Sequence, residues 1–210
     1  MQIRIRETDF TLLADKALWR HDTRQLIIAD IHLGKASHFR KAGISIPADS
    51  VLEDMRRLDR LMKQVQPREV ILLGDLFHSS YNREWHLFEA FLESFPSVAF
   101  VLVKGNHDIL KQHRYELPNF LVVDAWEDDH FLYTHEPTEH AQKFVLSGHI
   151  HPGILLSGKG KQRLSLPCFH VSDTQGVLPA FGKLTGLYML ERNAKDRYYL
   201  VYNGIIREMK

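Results

Sequence analysis

Five short groups of residues carry carboxylates, imidazoles and an amide in the order Asp30-Ile31-His32, Gly74-Asp75, Gly105-Asn106-His107-Asp108, His135 and Gly148-His149-Ile150-His151. Each follows an apolar run: Leu26 to Ala29, Val70 to Leu73, Val98 to Val103, Phe131 to Tyr133 and Phe144 to Leu146. In extended backbone, residues i and i+2 point to one side, so Asp30 with His32, and His149 with His151, are each expected to present two groups to one region. Gly74, Gly105 and Gly148 would permit tight turns or positive φ where strand gives way to ligand loop. Imidazole, carboxylate and amide without thiolate suit Mn²⁺, Fe, Zn²⁺ or Mg²⁺ better than a closed structural zinc site. A lone Asp-x-His or Gly-Asp serves equally well as a cap or turn. Five such groups, each at the end of an apolar run, have few structural uses.

The apolar runs read as buried strands. Between the first two, Asp49 to Gln66 carries Val51, Met55, Leu58, Met62 and Val65 at steps of three and four, the pattern of an amphipathic helix. Arg56, Arg57, Arg60 and Lys63 fill its other face, with Glu53 and Arg57 spaced as an i,i+4 pair. A second helix is predicted over Arg83 to Ser94, with Trp85, Phe88, Phe91 and Leu92 inward and Pro96 ending it. Strand, helix, strand, helix, strand is the grammar of a parallel sheet covered by helices. After residue 120 only further strand candidates remain, Leu164 to Val171, Leu187 to Leu190 and Tyr198 to Tyr202, which suggests a second sheet facing the first. Ligands of open α/β sheets bind beyond the carboxyl ends of the strands, so the five groups are placed to converge.

The chain has 210 residues, with 27 Lys+Arg against 26 Asp+Glu, so no broad basic field announces duplex nucleic acid. No linker, repeat or shift in composition divides it, and one domain over 1–210 is expected. The apolar runs are far shorter than the ~20 residues a membrane-spanning helix needs. The first residues alternate charge with Ile rather than forming a secretory signal, which points to the cytoplasm and no membrane partner. Cys168 is the single cysteine; it reads as a small buried hydrophobe. The thirteen histidines are the unusual count.

In their order and spacing the five groups resemble the calcineurin-like metallophosphoesterases. The resemblance implies a four-layer αββα sandwich, two mixed sheets flanked by helices, with two divalent metal ions at its edge, Mn²⁺ foremost and Fe, Zn²⁺ or Mg²⁺ as alternatives. It implies that Asp30, His32 and His151 hold one ion, that Asn106, His135 and His149 hold the other, that Asp75 bridges them, and that His107 is the catalytic histidine. Many members follow the Gly-Asp pair with a carboxylate or an arginine, whereas this chain has Leu76-Phe77-His78; His78 then either contacts substrate or caps the following loop. Segments 29–35, 39–47, 166–169 and 178–182 further resemble the bacterial ligase-associated DNA-damage-response endonucleases. That branch implies a DNA substrate and, as partners, an ATP-dependent DNA ligase, a helicase and an exonuclease.

Two divalent ions against Asp30 and Asp75 leave a surplus of positive charge that attracts phosphate. Ions about 3.5 to 4 Å apart can share a water and lower its pKa, so that a bridging hydroxide attacks phosphorus without a protein nucleophile. His107 is then placed to protonate the leaving oxygen, and Asp108 either holds the His107 ring or caps a turn. Lys35, His38, Arg40, Lys41 and Lys104 are candidates to hold substrate phosphates, or are surface charges. Lys159, Lys161 and Arg163 among two glycines suggest a hairpin tip. Three readings therefore stand: a metal-dependent DNA endonuclease or phosphodiesterase, an esterase for a cyclic nucleotide or other small phosphoester, and a catalytically silent scaffold. The complete set of expected ligands speaks against the last.

Overall fold

The computed structural model describes residues 1–35, 39, 43, 50–77 and 83–209. Its first sheet has seven strands in the order β1 (Gln2–Ile5), β2 (Thr8–Leu13), β3 (Ala17–Arg20), β4 (Gln25–Ile28), β5 (Glu69–Leu73), β6 (Ala99–Val103) and β7 (Phe120–Val123). The first four form an antiparallel meander, and β4 to β7 run parallel. Parallel neighbours need long crossovers, and the two predicted helices lie in them, α1 (Ser50–Val65) before β5 and α2 (Arg83–Glu93) before β6.

The second sheet has nine strands. Its main path runs β14 (Tyr188–Met189), β11 (Pro152–Ser157), β12 (Arg163–Val171), β13 (Gln175–Val177), β10 (Phe144–Ser147), β9 (Phe131–Tyr133) and β8 (Trp126–Glu127). On β12 it also carries β15 (Arg197–Tyr202), which pairs with β16 (Ile205–Met209). It is mixed: β10 is parallel to β9 and β13, while β11 and β12 form the antiparallel hairpin expected around residues 158–163.

Alternation along the buried strands divides the core in two. Leu26, Ile28, Val70, Leu72, Phe100 and Leu102 meet Leu58, Leu61 and Met62 of α1 and Trp85, Phe88, Phe91 and Leu92 of α2. Ile27, Ala29, Ile71, Leu73 and Val103 face the other way, onto Phe131, Tyr133, Phe144, Leu146, Phe169, Val171 and Tyr199 of the second sheet. At ~25 cal/mol per Å² of buried apolar surface, the aromatic layer between the sheets is the main force holding them together. The chain thus forms the α/β sandwich of two mixed sheets that the resemblance implied, and both described helices pack on the outer face of the first sheet. On the outer side of the second, Ile154, Cys168 and Tyr198 make a smaller cluster; burial pushes the Cys168 thiol up to about 12, as suits an inert packing residue.

One residue of α1 departs from its predicted face. Arg57 is buried, ion-paired at 3.2 Å with Asp54, hydrogen-bonded to the carbonyl of Phe181 and stacked 3.8 Å from that ring. Glu53 instead meets Lys183. The helical period gives the side of the helix a residue lies on, but not what the C-terminal chain brings to it. Among the described residues, no helix is long and apolar enough to cross a membrane.

Candidate metal centre

Five strands deliver their ends to one edge of the sandwich. From the first sheet come the segments after β4, β5 and β6; from the second, those after β9 and β10. The backbone there leaves extended geometry at once. Asp30, His32, Asp75, His149 and His151 all have left-handed φ, between 50° and 68°. That Asp30 with His32, and His149 with His151, reach a common region therefore does not arise from strand alternation, as the spacing suggested, but from repeated left-handed residues. Asp and His tolerate that region better than most side chains, though it still costs of order 1–3 kcal/mol per residue. Backbone bonds hold it: His32 N donates to Asp75 O at 2.9 Å, Leu33 N to Leu76 O at 2.8 Å, and Gly148 N to His135 O at 3.0 Å.

The glycines are required chiefly by proximity. A methyl group on Gly105 would overlap the backbone nitrogen and Oδ1 of Asp75, and one on Gly148 would lie 2.6 Å from Asp30 Oδ2; only Gly74 also has positive φ. Segment 178–182 braces the same region from behind. Leu178 N donates to Ser147 O at 2.9 Å, Phe181 N to Ala29 O at 2.8 Å and Gly182 N to Asp30 O at 3.1 Å, so one strap ties both sheets beneath the ligands. Arg57 anchors that strap through Phe181. Segment 166–169, by contrast, lies within β12 and belongs to the packing of the second sheet.

The candidate ligating atoms fall into two groups, Asp30 with His32 and His151, and Asp75 with His135 and His149; within each group they lie within 4.8 Å of one another. His32 Nε2 and His151 Nε2 are 3.4 Å apart, and His149 Nδ1 and His135 Nε2 are 3.0 Å apart. Two nitrogens each about 2.1 Å from one ion, at angles of about 90–110°, stand about 3.0–3.4 Å apart. His135 donates from Nδ1 to Leu73 O at 2.9 Å, which fixes the tautomer and leaves the Nε2 lone pair facing inward. Asp75 lies between the groups: Oδ2 is 3.7 Å from His32 Nε2, and Oδ1 is 3.5 Å from His135 Nε2 and accepts from His107 N at 2.9 Å. Asp30 is fully buried; its Oδ2 accepts from His149 N at 2.9 Å, while Oδ1 has no hydrogen-bond partner. A buried carboxylate oxygen left so is costly unless a cation meets it, and the donor set fits a pair of hard or borderline divalent ions.

Around this core, Asn106 and His107 are exposed, and the His107 ring sits edge-on to His32 with centroids 5.5 Å apart. Of the two roles expected for Asp108, the structure displays the turn. Oδ1 accepts from Leu76 N at 3.0 Å and Phe77 N at 3.3 Å, and Oδ2 from Gly105 N at 2.9 Å, so this carboxylate fastens the loop after β5 to the loop after β6. Burial pushes its pKa up to about 6 against the pull of those amides. Lys35 is half-buried beside the centre: burial draws its ammonium below the ordinary value, and the Asp75 and Asp30 charges oppose that shift. Lys104 is exposed, its backbone tied to Val123 O at 2.9 Å. His38, Arg40, Lys41 and His78 lie outside the described residues.

Sequence reasoning passed over Glu136. It is exposed, yet its Oε1 accepts from Asn106 Nδ2 at 2.9 Å and lies 4.0 Å from His149 Nε2. The signal for it was a carboxylate directly after the ligand His135.

Comparison with known proteins identifies a family. Residues 23–166 match the family model described as calcineurin-like phosphoesterase. Among solved structures, the Pseudomonas putida nuclease MPE superposes with a TM-score of 0.84 at 31% identity, covering 100% of this chain and 99% of that one. YfcE, a phosphoesterase from E. coli, aligns with a TM-score of 0.44 at 15% identity, over 88% of this chain and 97% of its own. No curated protein sequence matches.

Proposed function

Since the chain belongs to the calcineurin-like phosphoesterases, we propose that it is a two-metal phosphodiesterase whose substrate is DNA. The observation that carries the two-metal reading is Asp75, each of whose oxygens faces the histidines of a different ligand group. The DNA reading draws on the 31% identity to the Pseudomonas putida nuclease across the whole chain. Asp30, His32 and His151 would hold one ion, Asn106, His135 and His149 the other, with Asp75 shared. Manganese is the proposed metal. Bound there, two divalent cations supply the positive charge and the polarisation of water and phosphoryl oxygens on which hydrolysis of a diester depends.

The chain's own residues do the rest. His107 is held at the rim by its amide bond to Asp75 and belongs to neither ligand group, so its imidazole donates a proton to the leaving oxygen. Asp108 acts through the backbone, keeping the loops that carry Asp75 and Asn106 in register. Lys35, half-buried next to both carboxylates, steers and holds a phosphate oxygen. Lys104, exposed beside Asn106, meets the strand farther along; His38, Arg40, Lys41 and His78, which lie outside the described residues, are proposed as further phosphate contacts from the sequence alone. The whole chain, 1–210, acts as one cytoplasmic domain. A setting in DNA repair, with ligase, helicase and exonuclease partners, is proposed from the branch resemblance of segments 29–35, 39–47, 166–169 and 178–182.

The test is an assay panel with added Mn²⁺, comparing bis(p-nitrophenyl) phosphate, p-nitrophenyl phosphate, cyclic nucleotides and labelled single- and double-stranded DNA, with Asp75→Asn alongside. Metal-dependent cleavage of the diester and of DNA, absent from the variant, is expected. A net charge of only +1 favours the second reading, a small phosphoester substrate; turnover confined to cyclic nucleotides or monoesters would establish it instead. Two bound ions with no turnover at all would leave a scaffold.

A further inference from the structure

We infer that Glu136, which lies outside the ligand set, is a positioning residue that turns the side-chain carbonyl of Asn106 toward the metal ion shared with His135 and His149. The inference rests on the two-metal reading above. An amide side chain has two orientations of nearly equal shape, and only the one that presents Oδ1 can ligate a cation. Asn106 is exposed and does not acquire that orientation from close packing. The described contact that sets it is the bond from Nδ2 to Glu136 Oε1 at 2.9 Å. An ionised carboxylate only accepts hydrogen bonds, so Asn106 meets it through its NH₂ and its carbonyl oxygen is directed elsewhere.

The same Oε1 stands 4.0 Å from His149 Nε2. An acceptor oxygen on that side favours the tautomer with its proton on Nε2, leaving Nδ1, the nitrogen 3.0 Å from His135 Nε2, as the ligating atom. One carboxylate thus selects the donor atom of two ligands of one ion. The other ligand group has buried ligands, Asp30 and His32, held by the backbone bonds already described. Conserving the acceptor matters more than conserving the charge, and that difference makes the inference testable.

The experiment is a calorimetric titration of metal-free protein with Mn²⁺, free of any activity readout. Wild type is expected to take up two ions. Glu136→Ala should weaken one of them by about 10–100-fold, the usual effect of removing a partner that orients a ligand, and leave the other unchanged. Glu136→Gln should stay close to wild type, because the glutamine carbonyl still accepts from Asn106 Nδ2. In an Asn106→Ala background, Glu136→Ala should add little further loss at that ion beyond the share it exerts through His149, well short of additivity. Unchanged binding in Glu136→Ala would overturn the inference. So would a loss in Glu136→Gln equal to that in Glu136→Ala, which would assign the effect to charge, or full additivity with Asn106→Ala. Wild type that fails to bind two ions would overturn the two-metal reading and this inference with it, whereas two ions bound and indifferent to Glu136→Ala would overturn the inference alone.

Discussion

Strand β4 ends in two buried polar clusters that differ in kind. Before its first residue, Arg20 is 4% exposed and every guanidinium nitrogen donates: Nε and Nη2 grip Asp22 at 2.8 and 3.0 Å, and Nη1 reaches Gln25, Asp128 and Tyr133. Its guanidinium also lies 4.7 Å from the Phe131 ring, tying the two sheets together. Beyond the last residue of β4, Asp30 is equally buried, but its Oδ1, 3.4 Å from His151 Nε2, has no hydrogen-bond partner, and its backbone is left-handed. Elsewhere in the described chain the non-glycine residues with positive φ, such as Arg6, Glu7, Arg24 and Asn203, are exposed, apart from half-buried Lys16. A satisfied buried network stabilises a fold. An unsatisfied, strained one is the mark of a place where something else binds.

The comparison breaks if variants at the two ends behave alike. Asp75→Asn should act most strongly, lowering Mn²⁺-dependent diester turnover by more than the about 10²–10⁴-fold ascribed to a general acid, with thermal unfolding at or above the wild-type temperature. His107→Ala should lose about 10²–10⁴-fold in turnover while two Mn²⁺ are still bound by calorimetry; lost metal with normal turnover of the remaining loaded fraction would remove the proton from His107. At the other end, Arg20→Met should cost about 2–3 kcal/mol in urea unfolding, a buried-pair loss reduced because Asp22 and Asp128 remain partly in water. Turnover per folded molecule should not change.

Gly105→Ala crosses the boundary between the two classes. The added methyl meets Asp75, so about 1–3 kcal/mol of overpacking should appear together with weakened Mn²⁺ binding. Stability lost with binding intact would mean that the site is softer than its glycines suggest. The smallest expected effect is on pH. Burial pushes Asp22 and Asp128 upward, but Arg20 and Thr23 at the first, and the His130 and Phe131 amides with Arg20 at the second, outweigh it and hold both below 3.8. Their contribution is then complete above 3.8 and lost as pH falls through their lower folded values. Urea midpoints between about pH 5 and about pH 2.5 should decline less steeply in Arg20→Met than in wild type.

The sequence disclosed most where one stretch of chain carries a complete signal. Buried parallel strands are continuous apolar runs, so β4, β5, β6, β9 and β10 were visible, and the ligands were visible because each follows such a run. Both helices announced themselves through period and stops, with Ser50–Val65 and Arg83–Glu93 found within a residue or so of expectation. Strands β8 and β13, of two and three residues, carried too little pattern to separate from loops, and β16 mixes Arg207 and Glu208 with exposed Ile205 rather than forming an apolar run.

What remained hidden depends on partners distant in sequence. No local pattern could say that Arg57 would leave the basic face of its helix for the Phe181 ring, 124 residues away, or that segment 178–182 would brace the backbone of Asp30. The spacing of Asp30 and His32 was right but its geometric reason was not, since backbone handedness at those positions is imposed by the hydrogen bonds to Gly74 and Asp75. The same holds for Asp108, whose three amide donors come from two loops, and for Glu136, whose significance exists only because Asn106 arrives beside it. Residue types and their order determined which atoms are available to hold metal, because that is covalent chemistry. Which of those atoms face one another was decided by two sheets closing on a shared aromatic core, and only that closure brings Asp75 between two sets of histidines.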